Sequence, residues 1–190
     1  MNIVGIDEAG RGSWAGPVVA AAVVLGDCSI PGLTDSKKLA NVKRVQLAAL
    51  IRKHALASGV GWASHAEVDA LGLTKAVAQA MARAFSQIQC KYDKVIIDGN
   101  YNFLPDVTNV QTIVKADLLI PDVSAASILA KVTRDKHMQS EAVRFPHYRF
   151  DRHVGYGTAQ HIQEIIDHGV CEIHRRTYKP VRKIMSANYE

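Results

Sequence analysis

Short apolar runs alternate along the chain with longer segments whose apolar residues recur every three or four positions, the pattern of strands and helices packed in layers. Ile3, Val4 and Ile6 form the first run and residues 18–25 (VVAAAVVL) the second. Only a Gly- and Pro-containing stretch separates them, so they suit an antiparallel pair. Three more strands are expected at 59–64 (GVGWAS), 94–98 (KVIID) and 110–117 (VQTIVKAD). Between them, Val42, Val45, Leu47, Ala49, Leu50 and Leu56 fit one face of a helix over 41–57, with Asn41 as its N-cap. Residues 73–88 are alanine-rich, with Val77, Met81, Ala84, Phe85 and Ile88 at core spacing. A helix over 123–138 follows Pro121-Asp122 and turns Ala125, Ile128, Leu129 and Val132 inward, leaving Ser124, Ser127 and Lys131 as a polar stripe. A last helix over 160–167 ends at Gly169.

Three of the expected strands finish on a carboxylate: Asp7 with Glu8, Asp98, and Asp117. One strand-terminal aspartate is usually a turn residue. Three in one α/β domain can line one edge of a sheet, where ligands of such folds collect. Adjacent carboxylates repel, and a divalent cation is the simplest remedy. With no cysteine and no histidine pair at zinc spacing, an all-oxygen set of Asp7, Glu8, Asp98 and Asp117 favours magnesium or manganese. Gly10-Arg11-Gly12 follows at once, clearing side chains from the backbone around one guanidinium suited to phosphate. With Gly16 it approaches a dinucleotide-binding fingerprint, but a pyrophosphate there would face Asp7 and Glu8.

Composition narrows the partner. The 190 residues carry 23 Lys and Arg against 18 acidic residues, a formal charge of +5 that agrees with a polyanion. The stretch 145–158 (FPHYRFDRHVGYGT) mixes basic, aromatic and glycine residues, as expected where a nucleic-acid backbone is tracked and a ring stacks on a base or sugar. No apolar run is long enough for a bilayer, and Cys28, Cys90 and Cys171 stand far apart without a C-x-x-C pair. Reduced thiols in a cytoplasmic protein are expected. The eight histidines form no H-E-x-x-H or Ser-His-Asp pattern, and most are expected at the surface.

Taken together, IDEAGRG at 6–12, AGP at 15–17, TDSKKL at 34–39, IDGN at 97–100, KAD at 115–117, SAASILAKVTRD at 124–135, GYGT at 155–158 and HRRTY at 174–178 resemble the type 2 ribonuclease H family. The resemblance spans nearly the whole chain. It implies a ribonuclease H-like α/β fold over 1–190, with a central mixed five-stranded sheet flanked by helices and a small helical, basic and aromatic substrate-binding part from about 140. It implies cleavage of RNA in RNA–DNA hybrids and incision 5′ of single ribonucleotides in duplex DNA, by a two-metal mechanism that leaves 3′-hydroxyl and 5′-phosphate ends. Asp7, Glu8, Asp98 and Asp117 match the metal ligands, with Asp122 and Asp135 nearby but outside the set. Gly10, Arg11 and Gly12 match the loop that senses the 2′-hydroxyl, and Tyr156 the ring that packs on the following deoxyribose. Lys37 and Lys131 are candidates for phosphate. Two departures stand out: Ser13-Trp14 where bacterial members commonly have Pro and a small or aliphatic residue, and Lys115-Ala116-Asp117 for the more usual K-G-D.

Two other readings compete. A non-catalytic binder of RNA–DNA hybrids would share the basic face but gain nothing from four carboxylates beside phosphate. A nucleotide-cofactor oxidoreductase rests on the glycine spacing alone. A monomer is expected.

Overall fold

The apolar runs pair into one sheet, described here from a computed structural model over residues 1–33, 36 and 39–187. Strands β1 (Ile3–Ala9), β2 (Val18–Val24), β3 (Ala57–Ala63), β4 (Lys94–Asp98) and β5 (Val110–Ile113) lie in the order β3-β2-β1-β4-β5. The β1–β2 and β2–β3 pairs are antiparallel and the β1–β4 and β4–β5 pairs parallel, so the sheet is mixed. Helices α1 (Asn41–His54), α2 (His65–Leu71), α3 (Leu73–Phe85) and α4 (Pro121–Arg144) flank it, followed by α5 (Phe150–His153), α6 (Ala159–His168) and α7 (Lys179–Ala187).

Strand alternation divides the core into two layers. Val4 and Ile6 of β1, Val18 to Val24 at even positions of β2, and Val95 and Ile97 of β4 meet Val77, Ala80 and Met81 of α3. On the other face Ala21 and Val23 meet Leu47, Ala48 and Ile51 of α1 and Ala125, Ile128 and Leu129 of α4. A third cluster, around Met138, Tyr148, Phe150 and Ile165, ties the end of α4 to α5 and α6. It is built partly from the aromatic stretch read as a nucleic-acid tract: Tyr148 and Phe150 are stacked and buried.

Several sequence expectations are corrected. In α1 the cap residue is Ala40, and Val42, Val45 and Leu50 face outward at 70%, 49% and 42% exposure. Apolar residues occur all round this helix, and docking against α4 and β2 selects the narrow stripe of Leu47, Ala48 and Ile51. Helix α2 was not expected; Ser64 and Glu67 form its capping box. Helix α4 extends from Pro121, which suits its first turn, to Arg144. The fifth strand stops at Ile113, and Asp117 lies in a 3₁₀ turn (Ala116–Leu118) entered through Lys115 in the left-handed region. Asp7 and Glu8 lie inside β1, which continues to Ala9.

Candidate active site

Beyond the ends of β1 and β4, a cleft of about 450 Å³ is lined by Asp7, Glu8, Gly10, Arg11, Gly12, Asp98, Asp117, Lys131 and Tyr156, together with Ser36 and Ser127. Nine of the ten residues singled out in the sequence thus share one wall-to-wall space. Lys37 lies outside the described residues. The parallel pairing of β1 with β4 explains how positions so far apart converge: Ile6 aligns with Ile97, so Asp7 and Asp98 come next to each other where that pairing ends. The turn after β5 then delivers Asp117 to the same edge. Asp7 and Glu8 belong to opposite faces of β1, yet both reach a cleft that lies off the strand's end.

The carboxylates are held by protein donors. Glu8 N–H donates to Asp7 Oδ1 at 2.7 Å, and Ala116 N–H to Asp98 Oδ1 at 2.7 Å. Ala116 therefore carries a donor bond in place of strain, since the left-handed residue is Lys115 at φ 60°. Arg11 Nη1 lies 3.2 Å from Glu8 Oε1. Burial pushes the Asp7 carboxyl well above its ordinary range, and the charges of Glu8 and Asp98 add to that rise while a hydrogen bond with Ser127 opposes it. Among the described residues no three carboxylate, imidazole or thiol groups are already drawn to coordination distance. The donor chemistry nevertheless fits a hard divalent cation: among the described residues the groups lining the cleft that could act as ligands are oxygen donors, with no imidazole or thiol, and the electrostatic cost written on Asp7 is one that positive charge relieves.

Two buried guanidiniums shape the loop that carries Arg11. Arg134 of α4 donates through Nε to the Pro17 carbonyl (2.9 Å), through Nη1 to Val154 (2.9 Å) and through Nη2 to Ala15 (3.1 Å). Arg175 donates through Nε to the Gly16 carbonyl (3.0 Å) and through Nη1 to the Arg11 carbonyl (3.0 Å), which also accepts the Tyr178 hydroxyl (2.7 Å). These carbonyls turn inward and need donors that the sheet does not supply. Gly10, at φ 92°, is fixed by the same packing, for a Cβ there would lie 2.1 Å from Arg134 Nε. Arg134 holds its charge against burial, which lowers its pKa to about 10.

Tyr156 forms the opposite wall. Its ring faces Arg134 at 5.5 Å and Lys131 Nζ at 5.9 Å. Lys131 also pairs with Asp135 at 2.8 Å. Asp122 accepts from Leu25 N–H at 2.8 Å, clamping the start of α4 to the end of β2, and neither Asp122 nor Asp135 lines the cleft. Trp14 packs over Gly157, where a Cβ would meet the indole at 2.2 Å. Sequence reading missed Ser36, whose hydroxyl lies 3.0 Å from that of Ser127, and the buried roles of Arg134 and Arg175. Of the eight histidines, three, His153, His161 and His174, are buried behind Tyr156. No local spacing marks them, because their partners come from separate elements.

Residues 4–181 match the family model described as Ribonuclease HII. The chain is 48% identical over 185 residues to Ribonuclease HII of Delftia acidovorans (strain DSM 14801 / SPH-1), covering 97% of this chain and 78% of that protein. It is 45% identical over 186 residues to Ribonuclease HII of Nitrosospira multiformis (strain ATCC 25196 / NCIMB 11849 / C 71), covering 97% and 92%. In three dimensions it is similar to the ribonuclease H2 from Pyrococcus horikoshii OT3, with a TM-score of 0.84 and 25% identity over 100% of both chains.

Proposed function

Given that the chain belongs to the ribonuclease HII family and is a ribonuclease H hydrolase, we propose that it cuts RNA strands in RNA–DNA hybrids and incises duplex DNA on the 5′ side of single embedded ribonucleotides. The products carry 3′-hydroxyl and 5′-phosphate ends, and the second activity begins ribonucleotide removal from DNA. The observation that supports this reading is the gathering of four carboxylates, the Gly10 to Gly12 loop, Lys131 and Tyr156 around one cleft.

Asp7, Glu8, Asp98 and Asp117 would hold magnesium or manganese ions. When bound, these supply Lewis acidity toward the scissile phosphate and charge for the in-line displacement. The chain's own residues do the rest. Gly10, Arg11 and Gly12 present backbone groups to the 2′-hydroxyl, the one group that separates RNA from DNA. Arg11 meets phosphate once substrate competes for its contact with Glu8. Tyr156 packs on the next deoxyribose, and Lys131, beside that ring, steadies a flanking phosphate. The protein works without crossing a membrane in this reading, in the cytoplasm and as a monomer; no helix among the described residues is long and apolar enough to span one.

The test uses duplex DNA with one ribonucleotide, labelled at its 5′ end, with magnesium or manganese. Incision 5′ of the ribonucleotide is expected, with none on an all-DNA duplex and none by Asp98→Asn. Binding without magnesium-dependent cleavage would instead make the protein a hybrid binder. Cutting of a long RNA–DNA hybrid but not of this duplex would retract the role given to the Gly10 to Gly12 loop.

A further inference from the structure

Behind Tyr156 runs a hydrogen-bond chain made of residues that line no part of the cleft. Cys171 N–H donates to His174 Nδ1 at 2.9 Å, so that nitrogen is bare and the ring's proton sits on Nε2. His174 Nε2 lies 3.0 Å from His161 Nε2, a contact that binds only if one nitrogen donates and the other accepts. At the far side of the second ring, His161 Nδ1 lies 3.0 Å from the Tyr156 carbonyl oxygen, toward which it can only donate. Each end independently dictates the same direction. Cys171 N–H gives to His174, His174 Nε2–H to His161, and His161 Nδ1–H to the Tyr156 carbonyl. These tautomers are assigned from their partners.

The same turn is gripped by a second imidazole. His153 Nδ1 accepts from Gly155 N–H at 3.2 Å, and its Nε2 lies 2.9 Å from Glu164 Oε2. Glu164 in turn accepts from Arg149 N–H at 3.2 Å. His153 stacks on His161 with ring centroids 4.3 Å apart. Tyr148 faces both His161 and His174 edge-on, the Cys171 thiol lies 3.1 Å from His174, and Arg176 is the cation whose field reaches it. His161 and His174 are 0% and 1% exposed, and burial holds them down at about 4 and about 3 respectively. A proton added to either ring sets two N–H groups against each other and breaks the chain.

We propose that His161 and His174 are positioning residues: their neutral, one-way relay fixes the Tyr156 peptide, and with it the ring that meets the deoxyribose beside the ribonucleotide. This rests on the reading of Tyr156 as the sugar-packing residue. Neither histidine touches substrate.

Side-chain ¹⁵N NMR of the full chain tests the relay without any cleavage assay. At pH 7 His161 is expected as the Nδ1–H tautomer, the less favoured one in water, and His174 as Nε2–H, both still neutral at pH 5.5. Reversed tautomers, or a ring protonated at pH 5.5, would overturn the relay. Kinetics on the single-ribonucleotide duplex tests its purpose. His161→Phe removes the donor and should raise KM about tenfold with much less change in kcat. His161→Asn keeps an amide N–H near the δ position and should recover most of that loss. An unchanged KM in both variants, or equal failure of a folded Asn variant, would overturn the positioning role. Should the Phe variant not fold, the Asn variant and the tautomers decide. A native chain with the assigned tautomers that makes no incision would count against the proposed function and leave the relay standing.

Discussion

The cleft and the histidine layer behind it solve a similar problem in opposite ways. Each crowds groups that cannot all be charged without cost. In the cleft, Asp7 is desolvated and flanked by Glu8 and Asp98, a crowding that the proposed cation would relieve. In the layer, His161 and His174 avoid the cost by staying neutral and spending their hydrogens on fixed acceptors. The two buried arginines between them keep their charge, surrounding it with backbone carbonyls. Crowding that is left unresolved marks where a ligand is awaited; crowding that is resolved internally marks scaffold.

That contrast can be broken at either end. The largest effect falls on activity: Asp98→Asn should reduce magnesium-dependent cleavage on the order of a hundredfold or more, while the thermal midpoint in chelator stays level or rises, because one repelling carboxylate is gone. A large drop in that midpoint would show Asp98 to be scaffold. Next comes stability. Arg134→Met leaves the carbonyls of Ala15, Pro17 and Val154 without their donor, and urea unfolding should show a loss of roughly 3 kcal/mol or more. A loss below about 1 kcal/mol, within the range of one ordinary hydrogen bond, would mean that water takes the arginine's place.

The third prediction sets the two regions against each other in acid. His161 and His174 have folded values of about 4 and about 3, below the ordinary 6.5. The unfolded chain therefore takes up protons first, and the layer's stability, full above 6.5, is lost as pH falls through 6.5 toward 4. The loss is on the order of a few kcal/mol. Asp7 acts with the opposite sign: its raised value means that the folded state keeps a proton the unfolded state releases, so acid relieves the cleft. Urea midpoints at pH 7 and pH 4.5 should fall in the native chain, and the fall should be smaller in His161→Phe. An unchanged difference would place the acid sensitivity elsewhere.

How much of this was legible follows the range of the interactions. The apolar runs of β1, β2 and β4 announce themselves, because a strand buried on both faces needs little besides β-branched and small residues. The carboxylates were legible for a related reason: strand ends and glycine turns are local events, and parallel pairing does the gathering. Resemblance to a family then supplied roles that spacing alone could not. What remained hidden was set by tertiary demand. Arg175 stands in the HRR triplet of the HRRTY motif and is fully buried, donating to the Gly16 carbonyl and sharing the Arg11 carbonyl with the Tyr178 hydroxyl. Nothing local separates it from Arg176, whose N–H binds Asp69 at the surface. Likewise α1 shows apolar residues on several sides, and only the neighbour it docks on decides which of them is core.

The indole of Trp14 occupies the volume that a side chain at position 157 would need. Position 157 is therefore closed to any side chain while Trp14 stays in place: a methyl group added there would have to push the indole aside. The tyrosine turn is sealed on this side by a ring borrowed from elsewhere in the chain, where its own residue offers only backbone.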